Sequence, residues 1–287
     1  ALVRDAKPLL QELKTDALVR DAKPLLQELK TDALVRDAKP LLHQLCRLHE
    51  IPESHGFGHA HRVLAHVDAA LKAAPRRLTG RRQLAIRLAA LLHDADDRKF
   101  FPDGPASGYP NARRIAAQVG VPADMVDEIA YMISLVSTSS NGNSVPERAR
   151  SEPEVLWPRW ADRLEAIGER GVVRCWLYSD EVGRPHFNDA TPRPSSEAEV
   201  WALATPEKFE AYLKEKTSNT SMDHVYSVLL TVARPPVWAL QNPYFEAAFA
   251  RGAEPIVRVC LELGATGDID ADRIKAMGER LDREAAA

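Results

Sequence analysis

Cysteine is scarce in this chain. There are three in 287 residues, Cys46, Cys175 and Cys260, far apart and with no CxxC pair. This excludes a disulfide framework and a thiolate zinc site, suggests a reducing compartment, and leaves each thiol as a small buried apolar group. Aromatic residues make up 6% of the chain, and no window approaches about eighteen uninterrupted apolar residues. The most apolar run, LAIRLAALLHD, is broken by Arg87 and closed by His93 and Asp94, so no membrane-spanning helix is expected. ALVRDAKPLL at the start carries charges at positions 4, 5 and 7 and has no secretion-signal core. A cytoplasmic, intracellular protein is the expectation. Net charge is also low, 38 Lys and Arg against 41 Asp and Glu for a total of -3. That removes the generic electrostatic case for a nucleic-acid polymer or an anionic membrane as partner, while leaving room for a local basic pocket.

The composition, 45% apolar and 28% charged, is that of a globular protein with a sizeable core. Residues 1–16, ALVRDAKPLLQELKTD, recur identically at 17–32, and a third copy runs from Ala33 to Leu42 before diverging. At about 100° per residue, sixteen residues fall well short of a whole number of turns, so one straight helix through all copies keeps no single apolar stripe. With Pro8, Pro24 and Pro40 in the copies, separate short helices are expected, without chemistry before Ala33. The repeat reads as an appendage (1–32), its exactness that of a recent, engineered or artefactual duplication; an oligomerisation or partner helix, compatible with a homo-oligomer, is the alternative.

Beyond it the apolar spacing is almost wholly helical. Val63, Leu64, Val67 and Leu71 mark one helix from near Gly58, and Leu84, Leu88, Leu91 and Leu92 the next. Helices are also expected over Ala112 to Val119, Ala123 to Val136, Trp157 to Tyr178, and about 206–216, 222–233, 243–263 and 270–285. Residues 137–154 and 183–199 read as loops. The fold class is all-α, a helical bundle with a domain over 33–235 and a helical C-terminal extension over 236–287.

Nine histidines invite a search for a metal site. His59 opens a helix in HGFGHAHRV, His93 and Asp94 close an apolar run in LLHDADDRKF, and Asp162 lies in WADRLEAIGERGVVR. Imidazole with carboxylate suits Mn2+, Mg2+, Fe2+, Ni2+, Co2+ or Zn2+. Together with GRPHFND at 183–189 and SMDHVYSVLL at 221–230, these segments resemble the HD-domain metal-dependent phosphohydrolase superfamily. The likeness is greatest to small bacterial members that are nucleoside-triphosphate pyrophosphohydrolases, and it covers about Leu42 to Gly264. Two positions depart from the pattern: Gly56 and Trp160 stand where the family has acids.

The resemblance implies a mononuclear centre held by His59, His93, Asp94 and Asp162, with Mn2+ the first expectation. No histidine lies between His93 and His186, where two-metal members of the superfamily draw extra ligands. It implies Asp97 as the group that holds the attacking water or trades its proton, and Lys99 and Arg62 as phosphate ligands. His55, His224 and Tyr226 are further candidates for the substrate. Read from spacing alone, His61 faces away from His59, His66 is undecided, and Arg163 with Glu165 reads as an ion pair aiming Asp162. The implied activity is hydrolysis of a nucleotide-like phosphoanhydride or phosphoester, with nucleoside triphosphate to monophosphate and pyrophosphate foremost. A nucleoside 5′-monophosphatase, a phosphodiesterase and a non-catalytic nucleotide sensor are the alternatives.

Overall fold

The structure, a computed structural model, describes residues 29–286 apart from Ser54. The first repeat copy and residues 17–28 of the second lie outside the described residues. The fold is all-α, and among the described residues there is no strand. Residues 29–48 form α1, followed by α2 (Phe57–Lys72), α3 (Gly80–Leu92), α4 (Pro110–Gln118) and α5 (Ala123–Ser134). The expected separate short helices give way, over 29–48, to one helix that crosses the boundary between copies and runs through Pro40. Val35, Ala38, Leu42 and Leu45 are each at most 4% exposed. Pro40 and Arg36 lie on the opposite, exposed face, so the Arg36 carbonyl that loses its donor stays hydrated. Burial of one stripe thus overrides the local preference of proline.

α3 is the centre of the bundle. Thr79 caps it by accepting from the Arg82 N–H at 3.2 Å, and its Ile86, Leu88, Leu91 and Leu92 are fully buried. It packs against α2, α5 and α8 (Trp157–Glu165). The stretch 137–154, expected as loop, carries the single turns α6 (Thr138–Asn141) and α7 (Arg148–Ser151).

Two arginines of α8 pin this stretch to the core. Arg159 donates to the carbonyls of Leu135 and Ser144, and Arg163 to Gly142 O and Asn143 Oδ1. Both are fully buried without a carboxylate in salt-bridge range among the described residues. Burial pushes Arg159 down to about 10 and Arg163 to about 9. Trp160 offers the compensating surface, its ring centroid 5.6 and 5.1 Å from the two guanidinium carbons.

A single helix over Trp157 to Tyr178 is replaced by two, α8 and α9 (Gly168–Glu181). Gly168 stands between them at φ +70°, in the left-handed region where a side chain is strained. The break turns α9 away from α8 and onto the C-terminal helices α15 (Pro243–Thr266) and α16 (Ala271–Ala286). Between them come α10 (Glu197–Ala202), α11 (Pro206–Glu215), α12 (Ser221–His224), α13 (Leu230–Ala233) and α14 (Val237–Leu240). Residues 183–196 are irregular, while 197–199 of the expected 183–199 loop open α10, and Pro185 and His186 accept from the backbone of Ser221 and Met222, each at 3.0 Å. No helix among the described residues is long and apolar enough to cross a membrane.

Candidate metal centre

The apolar face of α3 drives that helix into the interior, and its last turn carries His93 with it. The His93 ring donates from Nδ1 to Ala90 O at 2.8 Å, which leaves Nε2 with a lone pair. His59, two residues into α2, brings its own Nε2 to 3.2 Å from that atom. Asp162 on α8 places Oδ1 3.2 Å from His59 Nε2 and 3.5 Å from His93 Nε2. Asp94 places Oδ2 3.4 Å from His93 Nε2 and 3.8 Å from His59 Nε2. The structure therefore brings the four expected side chains together from three packed helices, His59, His93 and Asp94 as one convergent group and Asp162 against the two imidazoles.

Atoms bound to one ion at about 2.0–2.2 Å and near-right or tetrahedral angles lie about 3.0–3.5 Å apart, close to the spacing here. The donor set of two imidazole nitrogens and two carboxylate oxygens also fits a divalent cation. The histidine side chains are 5% and 1% exposed and the aspartates 21% and 25%, so the base of the cluster is dry and its carboxylate side is open. Burial opposes charging of both partners. Even so, the Asp94 and Asp162 carboxylates hold His93 well above its ordinary pKa. In turn His93, with His55, holds Asp94 well below its ordinary value, and His59, with His93, does the same for Asp162. The cluster demands positive charge.

Glu165 supports it from behind. Its carboxylate accepts from Arg62 Nε at 2.6 Å, lies 3.3 Å from His66 Nε2, and comes within 4.0 Å of His59 Nδ1. The expected Arg163–Glu165 pair is not formed, because Arg163 points the other way into the 142–143 turn. Arg62 is thus bound to Glu165 rather than held out for a phosphate. His66 completes the chain through Tyr244 Oη at 2.6 Å. His61 is exposed beside Lys39 and takes no part. At Gly56 an added Cβ would come 3.0 Å from Pro52 O, so this backbone does not readily take an acid there.

In front of the cluster, His55 Nδ1 is 3.2 Å from Asp94 Oδ2 and 3.6 Å from Asp97 Oδ2. Its Nε2 lies 2.7 Å from Lys99 Nζ. Asp97 also accepts from the Lys99 backbone N–H at 2.9 Å. His55 and Lys99 line a cleft of about 640 Å³, whose walls add Arg174, Arg184 and Lys216. Tyr178, Tyr212, His224 and one acid, Glu181, also line it. Of the expected substrate residues, His55, Lys99 and His224 therefore face this cleft. Tyr226 does not: it is 1% exposed and donates to Pro192 O at 2.8 Å. Arg174, Arg184 and Lys216 went unassigned in the sequence, although Arg174 closes the ERGVVR segment and Arg184 sits in GRP.

Fold and site together define an all-α protein with a His/Asp cluster joined through His55 to a cleft lined by basic side chains. The chain is 33% identical over 202 residues to an uncharacterized protein of Acanthamoeba polyphaga mimivirus, covering 66% of this chain and 80% of the viral one. It belongs to the family of that viral protein. No family model matches it. A Lactobacillus plantarum protein solved as a structural genomics target superposes with a TM-score of 0.50 over 88% of this chain and 97% of that one. At 21% identity this likeness concerns the fold alone.

Proposed function

We propose that the chain is a metal-dependent phosphohydrolase of the HD-domain type, converting a nucleoside triphosphate and water to the monophosphate and pyrophosphate. The observation that carries this reading is the adjacency of the four-donor cluster to a cleft bearing Lys99, Arg174, Arg184 and Lys216. His59, His93, Asp94 and Asp162 would hold a divalent ion, Mn2+ in the first instance. Such an ion lowers the pKa of bound water and polarises a phosphoryl oxygen.

The chain's own residues do the rest. The cleft cations bind the phosphates and neutralise charge as it shifts to the leaving pyrophosphate. Asp97, one turn past His93, holds the attacking water and takes its proton. The half-exposed ring of Tyr178, with the Arg184 guanidinium 5.4 Å from its centroid, offers a face for a planar group.

Product analysis with Mn2+ over nucleoside tri-, di- and monophosphates, cyclic nucleotides and a generic phosphodiester tests the reading, with His93→Ala and Asp94→Ala as controls. Pyrophosphate from triphosphates, lost in both variants, is the expected result. Orthophosphate from monophosphates, or cleavage of the diester, would move the enzyme to the monophosphatase or phosphodiesterase reaction. Metal binding without turnover of any substrate would replace the enzyme by a nucleotide sensor.

A further inference from the structure

We propose that a cavity between α10, α11 and α13 is a second ligand site, built for a small planar aromatic carboxylate. It encloses about 490 Å³, within the range of small-molecule pockets, and none of the four cluster residues lines it. Its apolar walls are Trp201 of α10, Phe209 and Leu213 of α11, and Leu230 of α13. An indole and a phenyl ring in one cavity of this size suit a flat, apolar body. The turn at 141–144 forms a further wall.

Charge selects the ligand. Arg234 lines the cavity with its guanidinium carbon 5.0 Å from the centroid of the Trp201 ring. Among the described residues no carboxylate lies within salt-bridge range of it. Contact with an indole face holds a guanidinium in place without using up its N–H donors, and a carboxylate can accept two of them at once. Glu210 also lines the cavity and likewise has no ion-pair partner among the described residues. It repels a second negative charge, so the cavity takes a monoanion rather than a phosphate chain.

This site shares its walls with the basic cleft. α11 gives Phe209, Glu210 and Leu213 to the cavity, and Tyr212 and its C-terminal cap Lys216 to the cleft. Lys216 Nζ also donates to Ser139 O at 3.3 Å, two residues before Asn141 in the cavity wall. Between α12 and α13 the helix makes a π turn at Val225–Leu229, a form frequent at functional sites. Val228 and Leu229 line the cleft, while Leu230 and Thr231 line the cavity. A ligand seated in the cavity fixes α11 and with it one wall of the cleft, and so acts as an effector of what the cleft binds.

Naphthoate is the probe, with naphthamide as its neutral counterpart, each titrated into the full chain by calorimetry. Saturable binding of the acid with a Kd of about 1 mM or below is expected. Trp201→Leu and Arg234→Gln should each weaken it about tenfold, and Glu210→Gln should tighten it about threefold. The amide should bind about tenfold more weakly than the acid and be indifferent to Arg234→Gln. Circular dichroism checks that each variant folds, and Arg234 and Glu210 are exposed, so their variants keep the core. Hydrogen exchange with the acid bound should slow at 141–144 and along α11 as far as Lys216. No saturable binding, or binding untouched by both Trp201→Leu and Arg234→Gln, overturns the site. Slowing that stops short of Lys216 overturns its link to the cleft. The hydrolase reading stands or falls apart from these outcomes.

Discussion

His59 and His93 aim their Nε2 atoms at each other across 3.2 Å. With the His93 Nδ1 proton committed to Ala90, His93 Nε2 is left to accept, either from a proton on His59 Nε2 or by sharing a cation with it. A ligand that binds only the folded state stabilises it by about 2.7 kcal/mol at a hundredfold excess over its Kd. For a chain of this size that is about 5–10 °C in Tm. Calorimetry should therefore show such a rise with Mn2+ over EDTA in the wild type and none in His93→Ala. An equal rise in both would place the ion elsewhere.

Glu165→Gln separates support from ligation. The substitution removes the carboxylate behind His59 and should weaken Mn2+ binding by about 10–100-fold without abolishing it. It has a second signature. Burial works to raise the Glu165 pKa, but His66 and Arg62 outweigh it and bring it to about 2 from 4.5. The stabilisation from the ionised form is complete above about pH 4.5 and is lost as pH falls toward 2, where the unfolded chain binds the proton first. Urea unfolding in EDTA at about pH 5 and pH 3 should show a shallower loss in Glu165→Gln than in the wild type.

His224 gives the opposite chemical type with the same slope. Burial, helped by Arg184, pushes it from 6.5 down to about 4, so it is neutral when folded. Between those values the unfolded chain binds more protons, and stability rises with pH, by up to about 3 kcal/mol across the window. His224→Gln should flatten that part of the stability–pH curve. A curve unchanged between pH 4 and 6.5 would show that His224 is solvated in the folded protein.

The cleft cations predict a charge-graded loss. Arg184→Ala and Lys216→Ala should each raise KM for a triphosphate about tenfold, some 1.4 kcal/mol, and should weaken the dependence on ionic strength. A monophosphate should be affected less. Equal effects on both substrates would indicate a structural role for these side chains.

The helices were legible because amphipathic spacing survives in sequence. α2, α3, α5 and α15 lie within a few residues of the expected spans. The four side chains of the cluster, proposed above as ligands, were legible because each sits in a motif segment that carries the family resemblance. What escaped were relations between distant segments. Arg62 meets Glu165 across 103 residues, and nothing near either one announces it. The cleft arginines and Lys216 come from α9, the 183–196 segment and the end of α11, and singly each reads as an ordinary surface charge. The break at Gly168 and the unbroken α1 were missed for one reason. Whether a glycine or proline interrupts a helix depends on which face the rest of the protein covers.

The seat of α1 has a further consequence. It grips Val35, Ala38, Leu42 and Leu45, and a register displaced by sixteen residues would offer Val19, Ala22, Leu26 and Leu29 in their places. By those four side chains the seat is degenerate. The tie is broken one residue later, where Cys46, 7% exposed, would be replaced by Lys30. Enclosing an ammonium without a partner is far costlier than enclosing a thiol. A single small side chain thus acts as the phase mark that tells the domain which of three near-identical segments is its own.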